Sequence, residues 1–294
     1  MNKKRVFVVL FMLFIGAGCW STGSRAEPSS NAAAISPRDD TNMTEADPKK
    51  GFLDNLPKDF EQPTDDAGKL LLKEYGAVFL ARNGTTPPKK VVFKDEADVA
   101  AFQATLQRSS ETIGAYKVDL QTAAMTALKD AIAEAKAASL SITPRGADSA
   151  RRGYDQTVSL WASRVNPGFV HWVGLAKVTQ AEANRIKALT PYQQVPEILK
   201  LEQSNIFFAK DLSKSIIYSV APPGTSQHLS MLALDVGEFE NPSVRLILAK
   251  HGWFQTVSSD LPHFTYLGVT ESELPGLGLK KVENSGRVFW VPDI

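Results

Sequence analysis

The sequence predicts an α+β fold, with a small antiparallel sheet flanked by helices and a mixed N-terminal extension before it. Two observations predict it. The alanine-rich stretch 120–138 repeats apolar residues at helical spacing, placing Met125, Leu128, Ile132 and Ala135 on one stripe. The C-terminal part carries short apolar runs with strand character, Trp253–Val257 and Phe264–Leu267. At 294 residues and 43% hydrophobic content, the chain can bury one sizeable core or two small ones.

In chain order, Lys3, Lys4 and Arg5 precede an apolar run from Val6 to Ile15. That is the layout of an export signal, too short to span a bilayer as a stable helix. Ser24-Arg25-Ala26 suits cleavage after residue 26, while Gly16-Ala17-Gly18-Cys19 resembles a lipoprotein box that would anchor the chain to a membrane through lipidated Cys19. Both readings place the protein outside the cytoplasm, in the periplasm or cell envelope. Residues 27–50 are rich in Pro, Ser, Asn, Asp and Ala and read as a flexible linker. Residues 51–114 form the mixed extension, with strands expected at Ala77–Leu80 and Val91–Phe93 and a helix from Asp95 to Leu106.

Residues 115–294 hold the remaining elements. After the long helix, Leu140–Thr143 alternates like a strand, and Asp148–Trp161 reads as a loop entering a helix. Gln180–Ala188 and Pro191–Leu201 are expected helices, and Phe207–Ala209 and Ile216–Tyr218 expected extended pieces. Asn241-Pro242 is a strong helix start, an Asn cap with Pro in the first turn, and His251-Gly252 a stop.

Composition narrows the chemistry. Lys and Arg number 33 against 32 Asp and Glu, so no basic excess points to nucleic acid. Cys19 is the only cysteine, and its removal or lipidation leaves the folded domain without a thiol. A disulfide, a cysteine nucleophile and a Cys-type zinc site are thereby excluded. Any metal site is built from carboxylates and the four histidines, His171, His228, His251 and His263. Asp235 lies in the apolar run Leu232–Val236, where a buried carboxylate needs a charged partner. A carboxylate with two histidines, leaving a position for water, is a catalytic rather than a structural zinc set.

Ser226-Gln227-His228-Leu229-Ser230-Met231-Leu232-Ala233-Leu234-Asp235 resembles the Ser-x-His-x-x-Gly-x-Ala-x-Asp signature of the D-alanyl-D-alanine carboxypeptidase (VanY-like) family of zinc peptidases. Asp260-x-x-His263-Phe264-x-Tyr266-x-Gly268 is similar to the family's Glu-x-x-His-Phe-x-Tyr-x-Gly element, and Arg152-Gly153-Tyr154-Asp155 to its Arg-Ser-Tyr-Glu run. The resemblance implies one zinc ion held by His228, Asp235 and His263, with Asp260 as general base. It further implies Arg152 at the substrate's terminal carboxylate or the oxyanion, with Ser226 and the neighbouring Arg151 lining the substrate site. The implied substrates are peptidoglycan stem peptides. An endopeptidase and a non-catalytic, zinc-containing peptidoglycan-binding relative are the alternatives. Two positions depart from the pattern. Met231 stands where the family has Gly, and Asp260 where it has Glu. The first matters if the backbone there is one that only Gly adopts easily. The second shortens the base by one methylene, and a displacement of about 1 Å can cost on the order of a hundredfold in rate.

Overall fold

A computed structural model describes residues 51–294. The export signal at 1–26, Cys19 and the linker at 27–50 lie outside the described residues. Helix α1, Asp66–Tyr75, starts at Asp65, whose side chain accepts from the Gly68 N–H at 2.9 Å. Helix α2, Glu96–Ala104, is capped in the same way by Asp95. Strands β1, Arg108–Ile113, and β2, Tyr116–Gln121, form an antiparallel hairpin, and α3, Thr122–Ala137, follows directly. The helices α4, Tyr154–Gly174, α5, Gln180–Lys187, and α6, Gln194–Glu202, come next. The C-terminal part comprises β3, Ala233–Asp235, α7, Pro242–Lys250, β4, Trp253–Phe254, β5, His263–Tyr266, β6, Leu279–Asn284, and β7, Arg287–Pro292.

The expected antiparallel sheet is present as three short strands in the order β3-β5-β4. The hairpins β1–β2 and β6–β7 are separate sheets. One apolar core joins Phe52 and Leu71 of the extension to Leu128, Trp161, Trp253, Phe264 and Trp290. No described helix is long and apolar enough to cross a membrane.

Several expected strands take other forms. Residues Gly76–Leu80 form a buried 3-10 turn, since a short apolar run does not by itself separate a strand from a buried turn of helix. Residues 91–93 join no ladder. The Phe93 N–H donates to Gly224 O at 2.9 Å instead. Leu140–Thr143 runs near β3, but the Glu238 carboxylate takes both the Thr143 N–H and its hydroxyl at 2.8 Å, leaving a single bridge, Pro144 to Val236. Ile216–Tyr218 is a 3-10 turn rather than extended, and 207–209 belongs to no strand. Leu120 belongs to β2, so the long helix begins two residues later. The strand expected at Trp253–Val257 stops at Phe254. The Asn241 cap and the Pro242 start of α7 are present.

Candidate metal centre

His228 lies in the 3-10 turn Gln227–Ser230, which Met231 closes in the left-handed conformation at φ 58°. This is where the family pattern has Gly. The backbone thus keeps the conformation that favours Gly, at a cost of about 1–2 kcal/mol for a residue with a Cβ. The Met231 side chain is wholly buried, and its burial offsets that cost. Upstream, Gly224 has φ 77°, and a Cβ there would sit 2.0 Å from Phe93 O. The approach to His228 therefore needs glycine at 224 for both space and backbone.

Asp235 ends β3 and pairs in register with His263, the first residue of β5. Directly opposed antiparallel residues hold their Cβ atoms about 5 Å apart, which sets the carboxylate beside the imidazole. Alternation along β5 then sends His263 and Thr265 to one face and Phe264 and Tyr266 to the other. Thr265 joins His263 in bonding Gln227, while Tyr266 packs on Trp253 with ring centroids 5.2 Å apart.

Asp235 Oδ1 lies 3.3 Å from His228 Nε2 and 3.2 Å from His263 Nδ1. The two imidazoles stand edge to face, 4.9 Å between centroids. Each ring's other nitrogen is committed. His228 Nδ1–H donates to Ala150 O at 2.7 Å, and His263 Nε2–H to Gln227 Oε1 at 2.9 Å. These bonds fix the tautomers so that a lone pair on each ring faces Asp235. The second carboxylate oxygen accepts from Arg152 Nη2 at 2.9 Å. Burial holds His228 below its usual imidazole range and so neutral. Burial pushes the Asp235 carboxyl up, but its interactions with the two neighbouring imidazoles outweigh this and hold it below the usual carboxylate range. Neutral imidazoles and an ionised carboxylate are the states that ligate a metal.

The donor set could hold a metal ion. The three ligand atoms lie within 4.8 Å of one another. Bonds of about 2.0–2.1 Å in a tetrahedron place ligand atoms about 3.3 Å apart, close to the observed separations from Asp235. Among the described residues this is the His and carboxylate group that could hold an ion.

A cleft of about 240 Å³ opens beside the centre, lined in part by Ser226, Gln227, His263, Arg152 and Asp260. Ser226 is nearly buried in that wall. Asp260 is exposed, and its carboxylate bonds no described residue. Arg152 is spent on Asp235, with its Nε on Asp148 O at 3.1 Å. Arg151 turns to Gln103 Oε1 at 2.7 Å and is not in the cleft lining. His251 binds Glu134 at 2.8 Å and ties α7 to α3, and His171 stacks edge-on to Trp172. Sequence reasoning missed Gln227, whose only signal was its place beside His228. It donates to Tyr75 O at 2.8 Å and so anchors His263 to the end of α1.

These features define a candidate mononuclear metal centre on an α+β scaffold, with a carboxylate beside it in an open cleft. No family model and no curated protein matches the chain. One solved structure, that of the LdcB LD-carboxypeptidase described as revealing the molecular basis of peptidoglycan recognition, is similar at 15% identity and a TM-score of 0.34. The match covers 67% of this chain and 76% of that one, an overlap too loose to assign fold or activity.

Proposed function

We propose that this chain is a zinc-dependent peptidase of peptidoglycan stem peptides, acting as a D-alanyl-D-alanine carboxypeptidase. The observation that carries the reading is the His228–Asp235–His263 cluster, with both tautomers set by protein partners and its free lone pairs converging. The peptidoglycan substrate comes from the motif resemblance around Ser226–Asp235 and Asp260–Gly268. Zinc held by these three residues would supply Lewis-acid polarisation of the scissile carbonyl and make water acidic near neutral pH. The chain's own residues do the rest. Asp260, unpaired in the cleft, accepts the proton of the attacking water and returns it to the departing amine. Arg152 holds Asp235 in place and lines the cleft where the substrate's terminal carboxylate would lie. Ser226 lines the wall against which the peptide lies.

The left-handed Met231 keeps the loop carrying His228 in the backbone that Gly would give it, so this departure from the pattern leaves the ligand turn in place. The test is incubation of the zinc-loaded protein with defined muropeptides, followed by mass analysis. Loss of one terminal alanine is the expected product. Zinc-dependent binding without any cleavage would sink the carboxypeptidase reading.

A further inference from the structure

The cleft has a second cation that the zinc chemistry does not use. Thr157, Leu160 and Arg164 of α4 all line it. Their spacing puts them on one helix face, so the cleft follows α4 away from the metal centre. Arg164 Nε donates to Ser219 Oγ at 3.1 Å, and Nη1 to Ser163 Oγ at 2.9 Å. Both hydroxyls are themselves anchored. Ser163 donates to Leu160 O at 2.6 Å, and Ser219 accepts the Lys210 N–H at 3.3 Å. The guanidinium is therefore held in one orientation by neutral acceptors. No carboxylate among the described residues pairs with it, whereas Arg152 is neutralised by Asp235. With Nε given to Ser219 and one Nη1 proton to Ser163, the Nη2 protons and the second Nη1 proton remain to receive a carboxylate.

Resting on the peptidase reading, we infer that Arg164 binds a second substrate carboxylate, remote from the bond being cut. Gly153, next to Arg152, and Arg164 are separated by roughly 16 Å of helix at 1.5 Å per residue. An extended peptide advances about 3.4 Å per residue. Even with the reach of the arginine arm, the carboxylate sits about two to four residues from the reacting carbonyl. The cleft thus selects peptides carrying an acidic group at that distance, and an amide there is a poorer fit.

The test uses two synthetic stem peptides that differ only in bearing a carboxylate or a primary amide at that position. Their kcat/KM values and their equilibrium binding by calorimetry are measured on the full chain. The wild type should favour the carboxylate peptide by about ten- to a hundredfold, the range of a charged hydrogen-bonded contact. Arg164→Gln should bring that ratio to about one, and Arg164→Lys, which keeps charge but not the fork, should leave it in between. Melting curves check the fold of each variant. If Arg164→Gln does not fold, Arg164→Lys carries the comparison. A wild type indifferent to the two peptides, or variants that keep the full preference, would overturn the assignment. If neither peptide is cleaved, the peptidase reading fails, while the calorimetric preference still decides for or against Arg164.

Discussion

Removing the Gln227 amide leaves the His263 Nε2–H without its acceptor and frees the ring to turn. Gln227→Leu should therefore weaken zinc binding by about 10- to 100-fold, the usual effect of losing a partner behind a metal ligand. A competition titration against a zinc-sensitive dye measures it, and an unchanged affinity would show that His263 is oriented by packing alone. Asp260 poses the opposite case. Its carboxylate contacts none of the three ligands, so Asp260→Asn should keep one zinc per chain while turnover drops by about a hundredfold or more. Metal analysis and single-substrate kinetics on the same preparation separate the two effects. Near wild-type turnover would mean that another group moves the proton.

The turn after His228 is where backbone and packing oppose each other. Met231 bears a Cβ at φ 58° yet fills a fully buried site. Truncation to Ala keeps the backbone penalty and opens a cavity, with an expected loss of about 2–5 kcal/mol. Truncation to Gly opens the same space but relieves the backbone, so Met231→Gly should be about 1 kcal/mol more stable than Met231→Ala. Denaturant melts of both variants give the difference, and the reverse order would show that the left-handed conformation carries no strain. The elements around this turn differ in how legible they were. Asn241-Pro242 and the stripe on α3 announce helices through local rules, and β5 through its aromatic run. The His228, Asp235 and His263 cluster was legible because motif residues converge there whatever the flanking geometry. The 76–80 and 140–143 segments were not. Their fate depends on burial in the first case and on the Glu238 carboxylate in the second, partners far away in sequence. Gln227 and Arg164 escaped for the same reason, because their roles are set by Tyr75, His263, Ser163 and Ser219 rather than by a pattern.

At the scale of the whole molecule, stability should carry a pH signature from Glu202. Burial raises its carboxyl above the usual range, although Ser215 and the Ile216 and Phe208 N–H groups pull the other way. The folded protein therefore binds this proton more tightly than the unfolded chain does. Its contribution is fully present below the unfolded carboxyl's value and is lost as pH rises through the raised one. Between pH 7 and 5 the wild type should gain stability relative to Glu202→Gln, as read from paired thermal melts, and parallel curves would refute the assignment. The ligands of the metal centre lead to a different kind of expectation. Ala150 O and Arg152 from one segment, and Gln227 from another about 75 residues on, hold His228, Asp235 and His263. A cage braced in this way forms only once the tertiary structure is complete, so the ion has no part in guiding the chain to its fold. Zinc should then come and go from a finished protein. A chelator pulse should strip it at a rate unrelated to unfolding, leaving the circular dichroism spectrum unchanged, and re-addition should restore the centre within the mixing time of the ion.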